Sequence, residues 1–399
     1  MSDRPPAATA SRNQGSFRCD VVRATDPAVL PAERALDAAS FPLPLPSRQA
    51  WARHLGTPAD HVAIARDETG AVRSLLGISL TATRALPLHR VARVEGVGSG
   101  YAGADGRALL LAVSDFARQH PRILRVVVEV ETSDDAARRT ISGFLHEAGY
   151  RRIPSERVSE RTLSIDLRPT EEEMFAALSR RGRQNIRLAA KQGLETVALG
   201  EPRDERYGSR MNALLVDALA RTGAAPQDKD WGAIFALCRD RPERSRVAAV
   251  FRGAGREPDD LVGYAWGMHH GDRVEYSTGA SARIPGVSLP ILYPAIWDIV
   301  LWGKRTGGTW FDLGGVTPGE PGSGDALGGI SHFKRGFSKD EVSLGEEWAL
   351  APHPLRARIA DWTSAMARRV RERRQARHQG VAASTPELPA HEPSPSADA

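Results

Sequence analysis

The chain has 399 residues, of which 41% are hydrophobic, and a formal net charge of +5. That length is sufficient for two domains of ordinary size, each with its own core. The two cysteines, Cys19 and Cys238, stand far apart without partners at metal-ligand spacing, which argues against a disulfide framework and against a zinc site. The most apolar long window, 289–302, contains Asp298 and is shorter than a membrane-spanning helix.

Both ends of the chain differ in composition from its middle. Residues 1–16 and 380–399 are rich in small, polar and proline residues, so we expect both segments to be disordered. The N-terminus lacks the apolar stretch of a secretory signal, so we expect a cytoplasmic protein.

Positive charge is concentrated in one C-terminal segment. Between Arg356 and Arg377 there are eight arginines against Asp361 and Glu372, a net charge of +6, so the rest of the chain sums to about −1. We interpret residues 356–379 as a basic helix. Such a helix is either a solvated face or a surface for nucleic acid phosphates or for the anionic inner face of a membrane.

The middle of the chain contains one pattern twice. In its first copy, hydrophobic periodicity and turn residues predict strands at Val62–Arg66, Leu75–Leu80 and Arg90–Gly96, a helix at Leu109–Gln119, a strand at Val126–Glu131, and a helix that Thr132 or Ser133 opens and Gly149 ends. In its second copy, the predicted elements are strands at Arg246–Phe251, Leu261–Trp266 and Arg273–Thr278, a helix at Leu289–Arg305 and a strand at Thr309–Leu313.

This order of elements is the one expected of a GNAT-type acyltransferase unit, in which helices cover a mixed sheet. We therefore predict a mixed α/β (α+β) fold with two tandem GNAT-like units, at residues 17–167 and 168–355. No sustained heptads predict a coiled-coil arm.

A basic helix is predicted at the start of the second unit. Four cations lie at i, i+3, i+7 and i+11 and therefore share one face: Arg180, Arg183, Arg187 and Lys191. Ile186, Ala189 and Ala190 occupy another face. A solvated basic face is the alternative, although such faces usually carry Glu or Asp at i±4.

Two further motifs follow in the second unit. Trp310–Gly315 reads as a strand that ends in Asp312 and a glycine pair, where a substrate can approach the backbone closely. Gly329–Phe337 then contains the sequence Phe333-Lys334 and is followed by Gly345-Glu346.

Together these motifs resemble those of the Fem family (FemAB and FemX-like), aminoacyl-tRNA-dependent enzymes that form peptide bonds. The resemblance covers most of residues 17–355 and is stronger in the second unit. It implies a transferase that joins the aminoacyl group of an aminoacyl-tRNA to the stem-peptide amine of a peptidoglycan precursor. It also implies aminoacyl-tRNA as co-substrate, without a metal or another cofactor.

The resemblance places Lys334 at the reaction centre, where we expect it to stabilise the oxyanion. Asp312 is the carboxylate expected to orient the amine or to take its proton. The remaining residues expected to bind substrate or tRNA are Arg180, Arg183, Asn185, Arg187, Lys191, Gly314, Gly315 and Phe333.

Alternatives remain open at this point. The resemblance would favour a lysine just after Trp51 and an arginine around 225–228 to hold a nucleotide diphosphate, and neither is present, so a natural-product peptide stays open as an alternative acceptor. An acyl-CoA N-acetyltransferase would need a glycine-rich phosphate loop, for which Arg283–Ser288 and Gly96–Gly100 are weak candidates. A third alternative is a membrane-surface enzyme that loads an amino acid onto anionic lipid.

Overall fold

A computed structural model describes residues 10–14, 16–55, 59–83, 86–154, 161–223, 225–253, 255–284, 289–319, 328–363 and 365–366. The predicted tail at 380–399 and most of the basic segment 356–379 lie outside these residues. Within them, no helix combines the length and the apolar content needed to cross a bilayer.

The strands are β1 (Ala10–Gln14), β2 (Phe17–Arg23), β3 (His61–Arg66), β4 (Val72–Ala82), β5 (Arg90–Val97), β6 (Ile123–Glu131), β7 (Arg151–Ile153), β8 (Arg161–Asp166), β9 (Leu194–Leu199), β10 (Ser245–Arg252), β11 (Leu261–His270), β12 (Arg273–Ser281), β13 (Trp310–Gly315), β14 (Glu341–Ser343) and β15 (Gly345–Leu350). The helices are α1 (Val29–Ala38), α2 (Gln49–Leu55), α3 (Ala104–Gln119), α4 (Asp135–Glu147), α5 (Glu171–Ala177), α6 (Arg180–Lys191), α7 (Gly208–Thr222), α8 (Trp231–Asp240), α9 (Leu292–Arg305), α10 (Gly328–Lys334) and α11 (354–363).

The first sheet has the order β1-β2-β3-β4-β5-β6-β15-β7. Its neighbouring strands are antiparallel except for β5 and β6, which run parallel. Helix α3 packs on it because Leu109, Val113 and Phe116 recur at helical spacing, and they share one buried cluster with Val126 and Val128 of β6.

The second sheet has the order β14-β8-β13-β12-β11-β10-β9. Here β12 and β13 form the parallel pair, from Arg273–Glu275 on one strand and Trp310–Asp312 on the other. On its other side β13 pairs with β8 from Trp310 onwards, and the register of this pairing shifts between Asp312 and Gly315, which pairs with Thr162. Helix α9 covers one face of this sheet. The pairing of β12 with β13 thus ends at Asp312, whereas β13 stays paired with β8 as far as Gly315.

Two strands pair outside the unit that the sequence suggests for them. Strand β8 lies within 17–167 but pairs with β13 and β14, and strand β15 lies within 168–355 but pairs with β6 and β7. The reason is side-chain burial: Leu163 of β8 packs in the second core, and Trp348 of β15 packs in the first. The exchange ties the two units together.

Two local features differ from the sequence predictions. Strand β1 lies inside the segment expected to be disordered and pairs with β2, because an edge strand gains main-chain hydrogen bonds without burying apolar side chains. Helix α4 is capped by Asp134, whose carboxylate accepts from the N–H of Ala136 at 2.8 Å, rather than by Thr132 or Ser133.

Candidate active site

The candidate site is built on the turn that ends β13. Gly314 has φ of 80°, a conformation that glycine adopts without strain, and its N–H donates to Oδ1 of Asp312 at 2.7 Å. The Lys334 ammonium, at the end of α10, donates to the carbonyl of Gly315 at 2.8 Å. A Cβ on Gly314 would lie only 3.1 Å from Lys334 Nζ. The fold thus brings Lys334, Asp312 and the glycine pair together.

Lys334 is an unusually buried lysine, with 8% of its surface exposed. Burial lowers the pKa of its ammonium from 10.5 to about 8, and the nearby negative charge of Asp312 opposes this decrease. At neutral pH the side chain is therefore still mostly a cation. A desolvated cation of this kind interacts strongly with a negative charge that develops beside it.

Arg273, the first residue of β12, connects Asp312 with the first unit. Its Nη1 lies 3.3 Å from Asp312 Oδ2. Its Nη2 donates to Glu131 at 2.7 Å and to Glu275 at 3.2 Å. Glu131 is the last residue of β6 in the first sheet, whereas Glu275 and Asp312 are register partners in the second. One buried guanidinium therefore joins carboxylates from both sheets.

The carboxylates of this cluster differ in their proton affinity. Burial raises the pKa of Asp312, against the charge of Arg273 and a hydrogen bond from the Thr162 hydroxyl. Burial also raises the pKa of Glu131. For Glu275, burial acts in the same direction, but His270 and Arg273 outweigh it and the pKa falls to about 2.

The charge balance of the cluster depends on His270, whose Nε2 lies 3.2 Å from Glu275. Arg273 contacts the carboxylates of Glu131, Glu275 and Asp312, and the Lys334 ammonium lies near Asp312. With His270 counted as neutral, these groups carry one negative charge in excess, and a proton on Asp312 or on Glu131, whose pKa values burial raises, would balance it.

Phe333 belongs to an aromatic cluster beside α10. Its ring centroid lies 4.9 Å from that of Tyr293 and 5.5 Å from that of Phe337, and Tyr293 and Phe337 stack at 5.0 Å. Phe337 is buried in the second core. These rings fix the segment that carries Lys334 against helix α9.

The basic helix α6 is attached to the same segment. The N-cap hydroxyl of Ser179 donates to the Gly336 carbonyl at 2.6 Å, and Gly182 packs so closely on that carbonyl that a Cβ would overlap with it. Arg181 Nη1 also lies 2.6 Å from His332 Nε2. The N-terminus of α6 is thus fixed next to the chain that positions Lys334.

The predicted tRNA-binding residues of α6 do not share one environment. Arg183 donates to the carbonyls of Ala176, at 2.7 Å, and of Leu178, so it stabilises the connection between α5 and α6. The Arg187 guanidinium carbon lies 5.2 Å from the ring centroid of Phe175. Three of the four predicted cations are exposed, namely Arg180, Arg187 and Lys191. Asn185 is half-buried.

A cleft of about 810 Å³ lies next to the charged cluster. Helix α5 and the residues after α10 line it, among them Met174, Arg335 and Phe337, but Lys334 and Asp312 do not. The cleft is therefore a neighbour of the cluster and not its opening.

Sequence reasoning missed Arg273, Glu131 and Thr162. Arg273 and Glu131 were predicted only as residues at the ends of strands. A charged side chain at the end of a strand usually lies in solvent. Arg273 and Glu131 are buried because the two sheets approach each other, and this tertiary contact cannot be read from either strand alone. The sequence signal that could have indicated Arg273 and Glu131 as site residues is their position at the ends of strands in the two repeated patterns.

No protein-family model and no curated protein matches the sequence. Solved structures do match. The crystal structure of FemX superposes with a TM-score of 0.64 at 13% identity, covering 82% of this chain and 98% of that one. The chain therefore has a Fem-like tandem GNAT fold, which confirms the predicted fold class.

Two further structures match with lower scores. A tandem GNAT protein from the clavulanic acid biosynthesis pathway has a TM-score of 0.46 at 15% identity, covering 85% of this chain and 99% of that one. The structure of L-PGS from Bacillus licheniformis has a TM-score of 0.46 at 14% identity, covering 84% of this chain and 95% of that one.

Proposed function

We propose that this protein is an aminoacyltransferase that forms a peptide bond between the aminoacyl group of an aminoacyl-tRNA and the stem-peptide amine of a peptidoglycan precursor. The observation that carries the proposal is the buried Lys334 ammonium, held 2.8 Å from the Gly315 carbonyl beside Asp312. The basic helix α6 is attached to the same segment. The reaction requires a cation beside the developing oxyanion and a basic surface for the RNA donor.

The reaction needs little covalent help from the protein because the aminoacyl ester is already activated. The neutral acceptor amine attacks the ester carbonyl and the carbonyl oxygen becomes an oxyanion. Collapse of the intermediate breaks the ester C–O bond and expels the ribose oxygen, which takes up the proton that the attacking nitrogen loses. Lys334 stabilises the oxyanion. Both oxygens of Asp312 already accept hydrogen bonds or face Arg273, which favours an orienting role for Asp312 over proton removal.

Helix α6 supplies the donor-binding surface in this proposal. Its exposed cations, Arg180, Arg187 and Lys191, suit contacts with phosphates, which position RNA without reading its bases. Arg183 contributes indirectly, through the carbonyls that it holds in place.

We expect Arg180→Ala/Arg187→Ala/Lys191→Ala to weaken tRNA binding. If each cation contacts one phosphate, the log-log slope of affinity against salt should flatten by about 2 units, because each contact contributes roughly 0.7 to 0.9. A matched variant, Arg34→Ala/Arg122→Ala/Arg139→Ala, removes three exposed arginines from the first unit and should keep the wild-type slope. Equal slopes for the two triple variants would remove α6 from the donor site.

The pH dependence of transfer tests the charge state of Lys334. Its pKa of about 8 means that the oxyanion partner loses its charge as the pH rises through that value, so the single-turnover rate should fall there. Lys334→Met should lack this falling limb. A wild-type rate that rises through pH 8 and then stays constant would instead make the neutral lysine a base.

The acyl-CoA alternative finds little support at the glycine-rich loop of the first unit. The loop Gly96–Gly100 packs against residues around the turn between β11 and β12, and Ser99 donates to Asp272 at 2.8 Å. The void between them is only about 10 Å³, too small for a pyrophosphate. The other candidate, Arg283–Ser288, lies largely outside the described residues.

A further inference from the structure

Helix α11 presents an apolar stripe to solvent. Three large side chains of α11, at i, i+4 and i+7, lie on one helix face, and a fourth stands at i+11 in the helical residues 365–366 that follow. They form what we call the apolar stripe and are 75%, 54%, 65% and 44% exposed, respectively: Leu355, Ile359, Trp362 and Met366. The opposite side of the helix is buried through Ala357 and Ala360. Exposed large apolar side chains on the surface of a soluble protein are usually scattered singly, so four of them in one row indicate a binding surface.

The stripe points outwards because polar contacts fix α11 to the first unit. Arg125, on β6, donates to the Asp361 carboxylate at 2.9 Å, and Arg356 donates to the carbonyl of Pro121. The helix is thus held by its small buried residues and by these two contacts. The large residues of the apolar stripe contribute neither to this buried face nor to the two polar contacts.

The sequence of α11 and of the residues after it is strongly basic. Arg358 is exposed next to it, and the sequence continues after Met366 with six arginines and one glutamate up to Arg377. Trp and Leu on one face with arginines around them are typical of a helix that lies in a membrane interface.

We infer that α11 binds the surface of an anionic lipid bilayer, with the apolar stripe among the headgroups. An RNA ligand would contact the arginines and leave the stripe in water. A second copy of the chain could cover the stripe, but it would bring two segments of net charge +6 together. An anionic bilayer covers the stripe and neutralises the arginines. This inference is independent of the donor and acceptor proposed above.

Flotation of the full-length protein with vesicles tests the inference. Wild type should float with phosphatidylcholine vesicles that contain phosphatidylglycerol, less at high salt, and not with phosphatidylcholine alone. Ile359→Ser/Trp362→Ser should lower the partition coefficient about tenfold or more, because two apolar contacts are lost. The control is Leu30→Ser/Leu88→Ser, which removes two exposed leucines (37% and 76%) elsewhere and should bind like wild type.

Other outcomes overturn the inference. The inference is wrong if the wild-type protein does not float with the anionic vesicles, or if the variant of the apolar stripe floats as well as the wild-type protein. If the stripe variant loses tRNA affinity while its flotation is unchanged, the surface belongs to RNA. If wild type elutes as a dimer that the stripe variant dissociates, a second copy is the occupant.

Discussion

Lys334→Met is expected to lower the single-turnover rate of aminoacyl transfer by about 10² to 10³, while both substrates still bind. The ester carbonyl is neutral before the amine attacks and negative afterwards, so the Lys334 cation stabilises the transition state selectively. Met retains the apolar stem without the charge. Rapid-quench kinetics with charged tRNA, paired with equilibrium binding of each substrate, measures the two effects separately.

The same substitution is expected to stabilise the fold. The pKa of Lys334 falls from 10.5 to about 8 in the native state, so the charged form is disfavoured there. This penalty, of up to about 3 kcal/mol, is fully present below the folded pKa and disappears as the pH approaches the unfolded pKa. Near neutral pH, urea unfolding should therefore show Lys334→Met more stable by about 1–3 kcal/mol, with a smaller difference above pH 10.

Lys339→Met is the matched control because Lys339 is exposed and only five positions further along the chain. It should change neither the turnover nor the free energy of unfolding. Lys334→Arg should also transfer slowly, since a planar guanidinium does not reproduce the position of the ammonium. A Lys334→Met protein with normal turnover and weakened acceptor affinity would make Lys334 a binding residue.

Arg273→Met is expected to destabilise the protein by about 3–5 kcal/mol, the range for breaking a buried ion pair from one side. Without the guanidinium, the carboxylates of Glu131, Glu275 and Asp312 face one another with one cation fewer. Because Glu131 belongs to the first sheet, the variant should also loosen the contact between the units. Urea unfolding followed by tryptophan fluorescence measures the loss.

Two comparisons separate this effect from a general loss of an arginine. Arg246→Met removes a pair with Asp298 that is partly exposed, and it should cost much less. Adding Glu131→Gln to Arg273→Met should recover part of the stability, because it removes one of the repelling charges. Equal losses for Arg273→Met and Arg246→Met would show that the cluster is not an energetic link between the units.

Local structure was largely predictable from the sequence because hydrophobic periodicity is a local property. The strand expected at Val126–Glu131 is observed at Ile123–Glu131, and the helix expected at Leu289–Arg305 is observed at Leu292–Arg305. The resemblance to the Fem family assigned Lys334 and Asp312 to one site, and the fold brings them and the glycine pair together.

Tertiary features were not predictable in the same way. The alternation in β8 shows that Leu163 and Ile165 face a core, but not which of the two cores. The spacing of Arg183 places it on the basic face of α6, whereas its partners are carbonyls at the end of α5. The burial of Arg273 depends on the approach of two sheets, which no single segment encodes.

The most direct test of the account is transfer from two donors under identical conditions. The wild-type protein is mixed with a stem peptide that carries a free amine, and with either aminoacyl-tRNA or acetyl-CoA, and the peptide product is identified by mass spectrometry. We expect the peptide to gain an aminoacyl group from the charged tRNA, deacylated tRNA to be released in equal amount, and Lys334→Met to slow this step. Acetylation of the peptide by acetyl-CoA, with no transfer from any charged tRNA, would contradict this expectation.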